Sequence, residues 1–328
     1  MFTNKQTIHL PASSPPQLMV VIDTEEEFDW NNFPDRQKTS VAHLNQLDRV
    51  QSIFDEYGIK PCYVVDYPIA SDLYNNKTLR DIFATDRCEI GAHLHPWVNP
   101  PLTEELSIAN MYPGNLPAEL EYAKLAALVA KIEEAFLFKP TVYKAGRYGF
   151  GPNSQNIITQ LGFEIDVSVC PPFDHRADGG PDYRAFNAEP FWFGGNLLEL
   201  PVTGAFTGWA RSCAEPLFRN AQRLKSFKAP GILSKLGAVD RLVLSPEGYT
   251  PAEHKKLTQD LMARGTRLFT WSFHSPSVEV GHTPYVQNDR ELQAFLDSFR
   301  RYFDYFFGEL AGKATSPSQF KKLMESKA

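Results

Sequence analysis

The sequence predicts an α/β protein in which helices cover a mostly parallel sheet. Three observations indicate this fold class. Short apolar runs alternate with amphipathic segments about seven times, no repeat or low-complexity linker interrupts them, and the composition is that of an ordinary globular protein. A chain of 328 residues can form one large α/β unit. We therefore expect a single domain over residues 17–310, preceded by an N-terminal extension (1–16) and followed by a C-terminal tail (311–328).

The first half of the chain follows the predicted order of strand and helix. An apolar run at Gln17–Thr24 ends in polar residues and predicts the first, buried strand. Apolar residues recur every three or four positions from Val41 to Tyr57, which predicts a helix that ends at Gly58. A longer helix begins after Pro117, because proline suits the first turn. Between these helices we expect a strand at Cys62–Asp66, a short helix at Leu79–Ala84 and a strand at Glu89–His95.

The alternation continues in the second half. Thr250 and Glu253 have the spacing of a capping box, which begins a helix that ends at Gly265. Apolar residues at helical spacing over Leu292–Leu310 predict a last helix that packs on the sheet. The other predicted elements are strands at Thr141–Ala145, Glu164–Val169, Leu197–Val202 and Leu268–Phe273, and a helix at Asn153–Leu161. Irregular loops are predicted at Pro171–Gly195 and Ala229–Glu247.

Composition and missing motifs narrow the class of function. The 33 basic and 39 acidic residues give a net charge of -6 without any basic run, which argues against a nucleic-acid partner. Glycine-rich phosphate loops and the GxSxG nucleophile motif are missing, which argues against nucleotide and serine-hydrolase chemistry. We expect no membrane span and a cytoplasmic location, because no long apolar run or signal-peptide core is present. The four scattered cysteines are expected to be free, buried thiols.

Polar residues suited to metal and acid–base chemistry lie at the ends of the predicted parallel strands. They are Asp23, Glu25, His93, His95, Arg147 and His274. Loops at the carboxyl ends of parallel strands converge, so we expect one shared pocket. His93 and His95 are two residues apart in an extended segment, so both side chains can bind one ion together with Glu25. Three protein ligands leave a position for water, which zinc activates, so we expect a divalent cofactor with zinc as the leading ion.

Five segments resemble, in order and spacing, the successive motifs of NodB-like polysaccharide deacetylases, particularly the WalW-like branch. They are VIDTEEEFDW, EIGAHLHPW, KAGRYGFGP, LGFEIDVSV and FHSPS. The resemblance spans roughly residues 17–300. It implies a distorted (β/α) barrel with about seven parallel strands. It also implies metal-dependent removal of N- or O-acyl groups from an acylated sugar or glycoconjugate substrate.

The resemblance implies roles for the matching residues. By position these are the general base Asp23, the metal ligands Glu25 and His93, and the general acid His274. Arg147 would hold Asp23 in place, and Asp166 would orient His274. The sequence departs from the family pattern twice. Thr24 separates two carboxylates that are adjacent in the family, and Trp97 stands where the second histidine is usual, which leaves His95 as the substitute ligand.

Aromatic residues in the predicted loops complete the candidate site. Trp97, Tyr148 and Trp192 are the expected substrate-binding residues, because flat aromatic faces suit sugar rings. Two other functions remain open. A histidine pair at the end of a barrel strand is also typical of amidohydrolase-type enzymes that cleave C–N bonds. A catalytically inactive carbohydrate-binding barrel is the other alternative, because Trp97 replaces the usual histidine.

Overall fold

A ten-stranded, mostly parallel sheet forms the centre of the computed structural model, which describes residues 1–30, 32, 34–223, 231, 233 and 236–326. The strands of the described chain are β1 (Gln6–Thr7), β2 (Gln17–Thr24), β3 (Cys62–Val65), β4 (Glu89–Leu94), β5 (Val142–Ala145), β6 (Ile165–Asp166), β7 (Phe191–Phe193), β8 (Leu197–Glu199), β9 (Gly204–Thr207), β10 (Asp240–Val243), β11 (Leu268–His274) and β12 (Lys313–Ala314). The α-helices are α1 (Asp48–Glu56), α2 (Tyr67–Ser71), α3 (Lys77–Ala84), α4 (Ala118–Phe136), α5 (Ser154–Leu161), α6 (Ala214–Arg223), α7 (Pro251–Ala263), α8 (Asp289–Phe303) and α9 (Pro317–Glu325).

Seven neighbouring strands run parallel in the order β11, β2, β3, β4, β5, β6, β8. This confirms the expected α/β domain with about seven parallel strands. The short β12 also runs parallel, beside the start of β2, whereas β7 and β1 extend the β8 edge antiparallel. The carboxyl ends of the seven strands therefore lie at one face, as the site prediction requires.

The barrel-type sheet has one irregular side, between β8 and β11. Over the described residues no continuous strand ladder joins these two strands, and an antiparallel ribbon of β9 and β10 lies there. Single hydrogen bonds cross the side: the Leu244 N–H donates to the Thr203 carbonyl oxygen (2.8 Å), and the Ser272 N–H donates to the Leu244 carbonyl oxygen (3.2 Å). The barrel is thus distorted rather than closed.

Two predicted loops contain regular structure. The stretch Ala229–Glu247 was expected to be irregular, but it includes β10, and its residues 229, 230, 232, 234 and 235 lie outside the described residues. Likewise β7 lies within the predicted loop Pro171–Gly195. Both strands are only three or four residues long and depend on pairing with a neighbour, which local sequence periodicity does not reveal.

The sheet separates two apolar layers. Alternate residues of β2 illustrate this: Val20 and Ile22 pack under the helices, whereas Met19 and Val21 face the inner layer. The predicted aromatic face of α8 packs in the outer layer, where the Phe299 ring lies 5.3 Å from that of Trp271 on β11. α7 begins with the expected capping box of Thr250 and Glu253.

The flanking segments also contact the sheet. β1 belongs to the predicted N-terminal extension, and β12 and α9 belong to the predicted tail. Phe320 and Met324 of α9 pack into the inner apolar layer. The predicted domain limits remain a prediction, but these segments add strands and core to the domain. Cys62, Cys88 and Cys170 are buried free thiols, as expected, whereas Cys213 is free but exposed. In the described chain, no helix combines the length and apolarity that crossing a bilayer requires.

Candidate active site

A cavity of about 660 Å³ opens at the carboxyl ends of the parallel strands. Eight of the ten predicted site residues line it: Asp23, Glu25, His93, His95, Trp97, Arg147, Tyr148 and His274. Side chains alternate between the two faces of a strand, and this alternation explains why these residues line the cavity. Asp23 continues the inner face of Met19 and Val21 on β2, and Lys144 continues that of Val142 on β5. The polar site is therefore the open end of the inner apolar layer.

Glu25, His93 and His95 form a buried donor cluster at this end. The Glu25 Oε2 atom lies 3.5 Å from His93 Nε2 and 3.4 Å from His95 Nε2. The other nitrogen of each ring has an acceptor: His93 Nδ1 lies 3.1 Å from the Lys144 carbonyl oxygen, and His95 Nδ1 lies 2.8 Å from Glu26 Oε2. Because these contacts hold a proton on Nδ1, the Nε2 lone pairs are left facing Glu25.

The cluster fits a divalent metal ion. Burial lowers the pKa of both histidines, that of His95 to about 4, so the rings are neutral and suited to ligation. Two ligand atoms bound tetrahedrally to one zinc ion lie roughly 3.4 Å apart, which is the spacing observed from Glu25 to each ring. Asp23 and His274 also approach Glu25 closely enough to share such an ion.

Asp23 is paired with Lys144, which sequence reasoning missed. The Lys144 Nζ atom donates to Asp23 Oδ1 at 2.5 Å and to Ser272 Oγ at 3.3 Å. Burial opposes ionisation of Asp23, but the charge of Lys144, with that of His274, outweighs it and lowers the pKa of Asp23 below its usual value. Asp23 is therefore a carboxylate at neutral pH.

The expected pair of Arg147 with Asp23 is wrong. Lys144 lies on the inner face of β5, whereas Arg147 comes after the strand has ended, in a turn where its φ is 53°. Its guanidinium donates instead to the Tyr112 hydroxyl (3.3 Å) and to Asp178 Oδ2 (3.4 Å). The lysine in the same motif, KAGRYG, was the available signal.

His274 is oriented by Glu247. The His274 Nδ1 atom lies 2.7 Å from Glu247 Oε2, and its backbone N–H donates to Glu247 Oε1 at 3.1 Å. The His274 Nε2 atom lies 3.8 Å from Asp23 Oδ2. Burial lowers the pKa of His274, but Glu247, Glu25 and Asp23 together raise it to about 10. The ring is therefore an imidazolium at neutral pH.

The expected role of Asp166 is also wrong. Asp166 lies at the end of β6, where it accepts a hydrogen bond from Ser168 Oγ (2.6 Å) and pairs with the buried carboxyl of Glu199. Burial raises the pKa of Asp166 to about 6 and holds that of Glu199 well above its usual range, so this pair retains a proton. Glu247 was missed because β10, which precedes it, was not predicted.

Two further acids support the donor cluster of Glu25, His93 and His95. Glu26 binds both His95 Nδ1 and the Trp97 Nε1–H, each at 2.8 Å. Asp66 accepts the Glu26 backbone N–H at 2.8 Å, and the two carboxyls are hydrogen-bonded. Burial raises the pKa of Glu26 to about 7 and that of Asp66 well above its usual range. The run of glutamates after β2 was the sequence signal for Glu26.

The three predicted substrate-binding residues differ in their surroundings. Trp97 is 2% exposed and stacks on His95 with ring centroids 4.2 Å apart, so it supports that ring rather than offering a platform for sugar. Tyr148 lines the cavity, with Lys144 Nζ 4.9 Å from its ring. Trp192 does not reach the cavity, because it lies on β7 opposite Gln6 and lines a different groove.

Comparisons with known proteins show that this chain is similar in fold to several solved structures. No family model and no curated protein matches the sequence. A putative polysaccharide deacetylase from Mycobacterium smegmatis superposes with a TM-score of 0.54 at 14% identity, over 100% of this chain and 96% of that one. The PuuE allantoinase superposes with a TM-score of 0.55 at 14% identity, over 98% and 94%. At such low identity the two structures show that the chain shares their α/β barrel-type fold.

Proposed function

We propose that the protein is a metal-dependent hydrolase that removes an acyl group, first of all N-acetyl, from a carbohydrate or glycoconjugate precursor. The observation that carries this proposal is the meeting, in one cavity, of a neutral histidine–glutamate cluster, an ionised aspartate and a cationic histidine. With a divalent ion on the cluster, such a set would supply what amide hydrolysis needs: a Lewis acid, a base and an acid. The fold shared with a putative polysaccharide deacetylase agrees with it.

Glu25, His93 and His95 are the proposed metal ligands. A divalent ion bound there would polarise the substrate carbonyl and lower the pKa of water. Glu26 fixes the ring of His95, and the Lys144 carbonyl oxygen fixes that of His93. Zinc is the ion we propose, from the mixed nitrogen and oxygen donors.

Asp23 is the proposed general base. Its charge is maintained by Lys144, and its second oxygen, Oδ2, faces His274 across 3.8 Å. A water molecule near this oxygen loses its proton to Asp23 as its oxygen attacks the carbonyl carbon. The buried ion pair with Lys144 also fixes the orientation of the Asp23 carboxylate, and with it the side from which Asp23 takes the proton.

His274 is the proposed general acid. Its Nδ1–H is held by Glu247, so Nε2 carries the proton that faces the reaction centre. That proton passes to the amide nitrogen as the C–N bond breaks, which releases an amine and a carboxylic acid. Opposite charges on Asp23 and His274 at neutral pH are the state that the reaction requires.

The test is acyl release from a panel of N-acetylated sugars, with and without added zinc, in wild type and Asp23→Asn. We expect the variant to lose about 10²- to 10⁴-fold in kcat, because the base is removed without a change in shape. Asp166→Asn is the matched control. It changes a buried aspartate whose pair already holds a proton, and we expect nearly wild-type activity. Equal activity in wild type and Asp23→Asn would remove the aspartate from the mechanism.

A second candidate function is hydrolysis of cyclic amides. The observation that favours it is the fold similarity to an allantoinase, at a TM-score of 0.55. The second function would be favoured over the first if the protein hydrolysed cyclic amides and released no acetate from N-acetylated amino sugars. Membership of the WalW-like branch is part of our main proposal and rests on the five motifs, with their altered second histidine. A cytoplasmic location stays a prediction.

A further inference from the structure

The guanidinium of Arg147 lines the cavity without a strong partner of its own. Its contact to Asp178 is 3.4 Å long, and that carboxylate side chain is 55% exposed, so the ion pair is weak. Its Nε atom is buried and has no hydrogen-bond partner among the described residues. Tyr112 supports the group from one side, since the guanidinium carbon lies 5.0 Å from its ring centroid. The Arg147 side chain is thus held in one orientation, while its Nε–H donor has no acceptor among the described residues.

The backbone of this turn is held in an unfavourable conformation that directs Arg147 to the site. Arg147 and Tyr148 have φ values of 53° and 59°, in the left-handed region that residues with a Cβ seldom occupy. The turn is packed against the metal cluster, because a Cβ on Gly146 would lie 2.7 Å from the His95 ring. The Tyr183 hydroxyl donates to the Tyr148 carbonyl oxygen at 2.7 Å and fixes the other side.

Aromatic rings form most of the adjoining wall, with Asp178 as the acidic residue that lines the cavity beside them. Tyr148, His175 and Phe173 form a stack with ring centroids 5.7 and 5.8 Å apart. His175 Nε2 is buried without a partner in the described chain, and burial together with Arg147 and Arg241 lowers the pKa of His175 to about 4. Arg241 lies over Phe173 at 4.0 Å. Within the described residues Arg241 has no ion pair with a carboxylate.

We propose that Arg147 binds an anionic group of the substrate, a carboxylate or a phosphate, while the acyl group lies at Glu25, His93 and His95. A guanidinium binds either group with paired hydrogen bonds, and the free imidazole edge of His175 adds a further polar contact. A cavity of about 660 Å³ is the size of a small-molecule site, so one compact molecule reaches both places. The substrate class is therefore an acidic N-acylated amino sugar. The sugar part of this inference rests on the proposed function, whereas the anion site does not.

The kinetic test compares four sugars that differ in one group. They are N-acetylglucosamine, its 6-phosphate, its 1-phosphate and the corresponding C6 carboxylate, N-acetylglucosaminuronic acid. We expect kcat/KM of the zinc-loaded enzyme to be at least about tenfold higher for an acidic sugar than for the neutral one. The preferred probe identifies phosphate or carboxylate as the group bound.

Arg147→Gln should abolish that preference, so that kcat/KM for the acidic sugars falls by at least about tenfold, to the value for the neutral sugar. Arg176→Gln is the matched control, because Arg176 lies in the next loop, pairs with Asp174 at 2.9 Å and does not line the cavity. The control should retain the preference. A wild-type enzyme that favours the neutral sugar, or an Arg147→Gln variant that loses all four activities equally, overturns the anion site and leaves the hydrolase proposal standing.

A binding test separates the two proposals if no sugar is hydrolysed. Calorimetric titrations use inorganic phosphate, acetate and N-acetylglucosaminuronic acid, before and after a chelator, because anions also bind metal ions. We expect wild type and Arg176→Gln to bind at least one of these anions in the metal-free state, and Arg147→Gln to bind it at least about tenfold more weakly. That result without hydrolysis retains the anion site and rejects the hydrolase. Equal affinity in all three proteins rejects the anion site.

Discussion

Two buried partners set the charges of Asp23 and His274, the proposed catalytic pair. Lys144 keeps Asp23 ionised, and Glu247 keeps His274 protonated, although burial alone favours the neutral form of each. Each partner is itself within 2.7 Å of the group that it acts on. At neutral pH the proposed base is therefore charged negatively and the proposed acid positively, although both are buried.

The pH dependence of catalysis should report the contact between Glu247 and His274. The active acid is the protonated ring, so activity is present below the His274 pKa of about 10 and is lost as the pH rises through it. Glu247→Gln removes the charge that raises this pKa. We expect the alkaline limb of kcat/KM to move to lower pH by about one to two units. Glu253→Gln, at the exposed start of α7, is the control and should leave the limb in place. An unmoved limb in Glu247→Gln would show that another group is the acid.

The loop after β4 depends on the neighbouring helix α4. The Lys124 Nζ atom of α4 donates to the carbonyl oxygens of Pro96 (2.9 Å), Asn99 (2.7 Å) and Pro101 (2.7 Å) and pairs with Glu104. This loop begins directly after His95, the second histidine of the donor cluster. A helix outside the sheet thus holds the strand end at which the ligands lie.

Lys124→Met should loosen this loop and destabilise the protein. Three carbonyl groups and a carboxylate lose a charged donor, so we expect the free energy of unfolding to fall by about 3 kcal/mol. Zinc affinity should fall by roughly tenfold, because the support of His95 is weakened. Denaturant unfolding and zinc titration measure the two effects. Lys131→Met, which removes only a pair with Glu134 on the same helix, should change stability by less than about 0.5 kcal/mol. A stable Lys124→Met variant would mean that the loop is held by other contacts.

The whole molecule combines an apolar inner layer with a polar opening. α9 covers part of the inner layer with Phe320 and Met324, and the strand ends place Asp23 and Glu25 in the cavity at the carboxyl ends. Burial and the charge of Asp23 raise the pKa of Glu25, so ionising both carboxyl groups there costs free energy. A bound cation would offset that cost in the folded chain only.

Zinc should therefore stabilise the fold. At a concentration a hundredfold above Kd, a ligand that binds only the folded state adds about 2.7 kcal/mol to the free energy of unfolding. We expect denaturant unfolding to show this gain in wild type and a chelator to remove it. His93→Ala should show no gain, whereas His9→Ala, an exposed histidine outside the cavity, should behave as wild type. An equal gain in His93→Ala would place the ion elsewhere.

Local patterns in the chain were sufficient for the fold class and for half of the site. A strand such as β2 is recognisable because its apolar run is buried on both faces, and strand ends bring Asp23, Glu25, His93 and His274 to one face in any parallel sheet. The capping box of α7 is equally local, since Thr250 and Glu253 satisfy each other within one turn. These features depend on neighbours in sequence.

Tertiary structure alone decided which side chains became partners. Lys144 and Asp23 are 121 residues apart and Glu26 and His95 are 69 apart, while Glu247 reaches His274 only because β10 folds beside β9. The sequence instead favoured Arg147 and Asp166, which carry suitable charges but lie beyond a strand end or beside another acid. Contact distance and burial govern these pairings, and both arise only when distant strands meet.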